Sequence, residues 1–180
     1  MTTRHRLRGV TLVEASVVVA IAAITVSTAA PSFHSFIEKQ RLDGVAAQLA
    51  ADIQFTRAEA VQRNTALRLS VKSASWGDCY IIHTGAAAEC SCSESKPAHC
   101  SGDATELKTV QLPAHDGIAL QGNVSSILFD PLHGTSTPSG TLKLVAASGR
   151  AVHHVVNVMG RVRSCSPEGT VPAVPGYRVC

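Results

Sequence analysis

Arg8-Gly9-Val10-Thr11-Leu12-Val13-Glu14 divides the chain into a short basic leader and an apolar helix that begins directly after it. From Val10 to Ala30 there are twenty-one residues with one charge, Glu14. At about 1.5 Å rise per residue, a helix of that length crosses a hydrocarbon layer about 30 Å thick. Arg4, Arg6 and Arg8 hold the leader on the cytoplasmic side. A secretory signal has its small-residue cleavage site after the apolar run, whereas Gly9 stands before it, so a cut after Gly9 leaves the helix on the mature chain. The expected organisation is a cleaved leader at 1–9, a membrane-spanning assembly segment at 10–30 and an exported head at 31–180.

A carboxylate inside a bilayer costs roughly 2.5–3.5 kcal/mol or more unless it is paired. Cleavage after Gly9 supplies a partner for Glu14, the new α-amino group of Val10, in the same chain or in a neighbouring subunit. An uncleaved anchor would have no use for the charge. A basic leader, Gly, an apolar residue, Thr-Leu-Val-Glu and then an apolar helix closely resembles the type III signal of type IV pilins and pseudopilins over residues 8 to 30. The resemblance implies a prepilin peptidase that cuts after Gly9 and methylates Val10, and a Glu14 that places the subunit in a growing filament of other pilins or pseudopilins. It also implies a single-pass protein of the bacterial inner membrane with its head in the periplasm. Val10 departs from the family, which usually has Phe there.

The 180 residues leave about 150 beyond the apolar segment, enough for one head with its own core. The formal charge of +3 comes from the leader: without Arg4, Arg6 and Arg8 there are 13 basic against 13 acidic side chains. Basic surface is therefore local. From Pro131 to Cys180 the chain has Lys143, Arg150, Arg161, Arg163 and Arg178 against Glu168 alone. All six cysteines follow the apolar segment and so face an oxidising compartment. Cys165 and Cys180 are expected to close the last fifteen residues. Cys90 and Cys92 are too close to bond each other readily, so each should bond one of Cys79 and Cys100, in an order the spacing leaves open. The competing use is a metal site of Cys90, Cys92, His99 and Cys100, but Cys-x-Cys followed by His-Cys lacks the paired spacing of zinc sites.

Pro31 should bend the helix, which then resumes. Leu42, Val45, Leu49 and Ile53, with Ala46, Ala50 and Ala60, recur at steps of three and four and make one apolar face. Lys39, Arg41, Gln48, Asp52, Arg57 and Gln62 are placed opposite. The helix is expected to reach about Asn64. Its end, Phe55 to Asn64 with Arg57-Ala58-Glu59-Ala60, resembles the Arg-Ser-Glu-Ala segment of the GspH/FimT branch of the pseudopilins. From Leu67 the pattern alternates, and strands are expected at 67–72, 79–83, 107–112, 126–130, 141–147 and 151–159. Ser148-Gly149-Arg150 reads as a hairpin turn, Asp130 to Gly134 and Thr137 to Gly140 as turns, and 84–103 as a disulfide-tied loop. The fold class is α+β, a long N-terminal helix packed on an antiparallel head; two small sheets are what the family resemblance implies.

No enzyme site stands out: there is no Gly-rich phosphate loop after a strand and no nucleophile elbow, and no cofactor is expected. His153 and His154 are adjacent in a strand and so point to opposite faces. The sharper feature is Gly160-Arg161-Val162-Arg163. In extended chain the two arginines project from one face, within roughly 7 Å of each other. Paired guanidinium groups suit successive phosphates because each offers a planar fork of donors and keeps its charge. Gly160 permits a bend or close approach, and Arg178 and Arg150 are candidates to join the patch. This tail resembles the one implicated in DNA binding during natural transformation in FimT-type minor pilins. It implies sequence-independent binding of double-stranded DNA at Arg161, Arg163, Gly160, Arg150 and Arg178. The alternative is a structural subunit of a pilus tip or a type II secretion pseudopilus, GspH-like, that binds no DNA and whose arginines solvate a strand end or pair with carboxylates.

Overall fold

The computed structural model describes all residues except 1–8, 10, 95–97 and 170, and the side chains of 28–32 are likewise outside the description. The expectations for the basic leader and for Val10 lie outside the described residues. The chain divides into two compact units, Met1–Lys39 and Gln40–Cys180.

Helix α1 (Leu12–Gln62) stays helical on both sides of Pro31, as the expected resumption requires. Its start is fixed by Thr11, whose hydroxyl accepts a hydrogen bond from the Glu14 backbone N–H at 3.2 Å. Thr-x-x-Glu is the spacing of a capping box. Large apolar side chains of the first unit, from Leu12 and Val13 to Phe36 and Ile37, are exposed. Among the described residues no helix is long and apolar enough to cross a membrane; the expected span includes Val10 and residues 28–30, which that description omits in whole or in part.

Within the second unit α1 ends two residues short of the expected Asn64. Asn64 takes a left-handed φ of 49°, Thr65 N–H donates to the Ala60 carbonyl and Asn64 N–H to that of Val61. That pair of bonds is a Schellman motif, with Asn in the conformation it tolerates best after Gly. The helix buries Leu42, Ala46, Leu49, Ile53 and Ala60, the face its periodicity predicts. Asp52 is the exception. Assigned to the polar face by residue type, it is 5% exposed and accepts from Tyr80 Oη at 2.7 Å and Lys108 Nζ at 2.6 Å. Two donors from the head compensate its desolvation, so it sits on the packed face.

The head is two five-stranded sheets and a ribbon. The first sheet takes β1 (Leu67–Ala74), β2 (Gly77–His83), β5 (Glu106–Pro113), β7 (Ser126–Phe129) and β8 (Ser136–Thr137) in the order β5-β2-β1-β7-β8. The second takes β6 (Ile118–Gly122), β9 (Gly140–Ala146), β10 (Ala151–Val156), β11 (Val162–Ser166) and β12 (Arg178–Val179) in the order β12-β11-β10-β9-β6. Among the described residues every pairing is antiparallel except β11 with β12. The ribbon β3 (Cys90–Ser91) and β4 (His99–Cys100) lies in the expected loop, tied by Cys79–Cys92 and Cys90–Cys100. These bonds occupy the thiols of the alternative metal site. Both sheets and α1 feed one core that includes Leu49, Ile53, Leu69, Tyr80, Leu120, Phe129, Leu142, Leu144 and Val152.

Two readings are corrected here. The expected strand 151–159 stops at Val156, because Asn157 to Gly160 form a turn closed by Gly160 N–H to the Asn157 carbonyl. Ile118–Gly122 is a strand that the reading passed over, although Ile118 and Leu120 alternate with Ala119 and Gln121. It begins directly after a left-handed Gly117, φ 71°, and the segment was too short to register against the turns around it.

Candidate nucleic-acid interface

The second sheet alternates cleanly. On β9 Leu142, Leu144 and Ala146 are buried while Thr141, Lys143 and Val145 face outward; on β10 Val152, His154 and Val156 point in while His153 and Val155 point out. The two histidines thus lie on opposite faces, as adjacency in a strand requires. The register carries this alternation across the sheet. Lys143 pairs with His153, His153 with Cys165 and Cys165 with Arg178, so one row crosses four strands on the outer face. Arg163 pairs with Val155 in the next row.

A groove of about 520 Å³ runs between these rows, lined by Val155, Arg163, Ser164, Cys165, Arg178, Val179 and Cys180. Arg163 and Arg178 therefore share it. Strand geometry puts their Cα atoms about 8 Å apart, two residues along and one strand across. The Cys165–Cys180 disulfide holds β12 against β11, supported by Cys180 N–H to the Ser166 carbonyl at 3.1 Å. Ser166 is itself buried: its hydroxyl donates to the Ala151 carbonyl and accepts from Val174 N–H. Among the described residues Lys143, Arg161, Arg163 and Arg178 form no ion pair. His153 is held below its ordinary pKa first by burial and then by the Lys143 ammonium, so it adds little charge at neutral pH.

Arg161 follows the turn and is exposed. The Asn157 side chain accepts its backbone N–H at 2.9 Å, and its carbonyl accepts Asn157 N–H at 3.1 Å. Gly160 before it is buried, with φ 69°, and a Cβ there would run into the Gly134 carbonyl and the Arg57 side chain. Both the bend and the close approach are present. Arg150 lies elsewhere. It is on the β9–β10 turn, at the far end of β10 from Arg161, beside Glu168 in a separate small groove. Gly9 and Glu14 are exposed at the other end of the chain.

Sequence reasoning counted Lys143 in the local excess of positive charge without placing it on this face, and it missed Val179. The alternation of Thr141-Leu142-Lys143-Leu144 held the signal for Lys143. Val179 had none, since its place depends on a two-residue parallel pairing.

The family described as type II transport protein GspH matches residues 45–160. The crystal structure of the type IV minor pilin FimU of Pseudomonas aeruginosa (strain PAO1) has the same fold, with a TM-score of 0.54 at 18% identity over 76% of this chain and 99% of that one. None of the curated proteins matches this chain. The family match ends at Gly160, so Arg161, Arg163 and Arg178 lie beyond it.

Proposed function

This chain belongs to the GspH family of type IV pilin-like proteins, and from that premise we propose that it is a minor pilin whose head binds duplex DNA without sequence preference. The observation that carries the DNA reading is the groove that Arg163 and Arg178 share with no carboxylate partner among the described residues. Two arginines with Cα atoms about 8 Å apart, each carrying a planar fork of donors, suit neighbouring phosphates of one strand. Val155 and Val179 lie in the same groove, able to meet the sugars, and Arg161 and Lys143 extend the positive face. Trp76, Tyr80 and Tyr177 do not line the groove, so none of them stacks bases there.

On this reading a prepilin peptidase cuts between Gly9 and Val10 and methylates Val10. The apolar segment holds the subunit in the inner membrane with its head in the periplasm, and Glu14 pairs with an N-terminal amine as the subunit enters a filament. The competing role is a structural pseudopilin of a type II secretion system that binds no DNA; the matching family, described as a type II transport protein, supports the secretion half of that reading.

The deciding experiment titrates the full chain, in non-ionic detergent, with a short DNA duplex at two salt concentrations, beside the Arg163→Ala, Arg178→Ala variant. With about 2–4 phosphate contacts, binding should weaken steeply with salt, and loss of two of them should lower the salt slope by about 2. A wild type that fails to bind at low salt would leave the structural role standing.

A further inference from the structure

The helix motif and the arginine tail, far apart in sequence, meet at one contact. Arg57, on the last turns of α1 and half-buried, donates from Nε to the Gly134 carbonyl at 2.8 Å. Gly134 has φ 61°, and a Cβ there would crowd Arg57 and Val61; at Gly160, φ 69°, a Cβ would run into the Gly134 carbonyl and the Arg57 stem. Two further bonds join the same loops: Ser136 N–H to the Val158 carbonyl at 2.9 Å, and Ser136 Oγ to the Asn157 carbonyl at 2.6 Å. Asp130 anchors the far side, accepting the N–H groups of Leu132 and His133. A Cβ at Gly160 has no room and a left-handed φ disfavours one at either glycine, so the three layers fit only as they are.

The geometry points to Arg57 as a positioning residue that holds the Asn157–Gly160 turn and so sets where Arg161 leaves the sheet. This deepens the DNA reading and rests on it for its functional half. Arg57 spends its Nε on a carbonyl and packs its stem under Gly160, so it acts on Arg161 through the backbone and not as a phosphate ligand. The turn has no disulfide of its own: Cys165–Cys180 ties the other end of β11. Removing the guanidinium leaves the Gly134 carbonyl without its donor and a gap beneath Gly160, which loosens the loops around it and spares the strands of the core.

The test compares Arg57→Ala and Arg57→Lys with the full-length wild type in detergent, by amide hydrogen exchange and by duplex titration. In Arg57→Ala the amides of Gly134, Ser136, Gly160 and Arg161 should exchange faster while those of Ile81 and Ile82 keep their rates. Arg57→Lys, which keeps the charge and reaches the carbonyl less well, should fall between. Duplex affinity should drop about three- to tenfold in Arg57→Ala, the scale of one lost hydrogen bond, and should follow exchange and not charge across the series. Unchanged exchange at the four amides, or a rise shared equally by the core strands, overturns the positioning role. So does wild-type affinity in a variant with a loosened turn, or Arg57→Lys binding as wild type while its turn is loose. A wild type that binds no duplex counts against the DNA reading, and the exchange comparison then decides the clasp alone.

Discussion

His153 and His154 are neighbours on β10 and occupy different media. His153 faces the outer row, while His154 is 1% exposed, with Nδ1 at 2.9 Å from Ser164 Oγ and Nε2 buried without a hydrogen-bond partner among the described residues. Burial pushes its pKa down to about 4 from 6.5, with the Ala46 carbonyl opposing and His153 adding to the fall. Between those values the unfolded chain binds the proton and the folded chain does not. The contribution is therefore complete above pH 6.5 and is lost as pH falls towards 4, and a shift of that size is worth up to about 3 kcal/mol. His83, fully buried between Ser70 and the Thr84 carbonyl, is lowered mainly by desolvation and acts in the same sense. Urea unfolding at pH 7 and pH 4.5 should show the head weaker in acid, and His154→Gln should remove a clear part of that difference. An unchanged pH dependence in the variant would mean that His154 is protonated in the fold without penalty.

At the scale of the element, the decisive piece is the arm from Pro167 to Cys180. Its strand β12 has two residues, too short to hold by its own ladder, and three other ties fix it: buried Val174, the Ser166 hydroxyl and the Cys165–Cys180 bond. A bond closing a 15-residue separation contributes about 3 kcal/mol through the unfolded state. It also keeps Arg178 in the groove. Cys165→Ser, Cys180→Ser should thus lower the unfolding free energy by about 2–4 kcal/mol. Measured well below its midpoint, the variant should also lose most of the affinity that Arg178→Ala loses. Equal affinity with the bond absent would show that Val174 and Ser166 suffice to place the arm.

For the whole molecule the notable fact is what one helix is asked to do. Beyond Gln40, α1 gives a face to the core of the head; from Leu12 to Ile37 its large apolar side chains are exposed. On the proposed reading, this exposed apolar surface meets lipid or the helices of other subunits. Glu14, exposed in the first turn, is the one acidic group of that stretch. Glu14→Ala should leave cleavage after Gly9 largely intact and sharply reduce the amount of this protein in sheared filaments, measured against total cellular protein. Normal incorporation of the variant would remove the assembly role of the carboxylate.

Much of this was legible because it is local. The 3.6-residue period named the buried face from Leu42 to Ala60, Asp52 apart, before any packing was known. The alternation after Leu67 marked six strands, and the short reach between Cys90 and Cys92 narrowed the disulfides to two arrangements. What stayed hidden depends on chain crossings. Asp52 read as a surface residue because its partners Tyr80 and Lys108 come from strands 28 and 56 residues away. Arg57 read as part of the polar helix face and of a family-like motif, with no contact assigned to it, until Gly134 and Gly160 closed over it. Arg150 and Arg178 were alike in sequence. The antiparallel return of β10 carries Arg150 to the far end of the sheet, and a parallel β12 brings Arg178 beside Arg163. Period and spacing act within one element, so the sequence by itself determined the long helix, most of its buried face and six of the strands. Register and the order of strands bring distant residues together, so only the tertiary structure decided which cations share a groove.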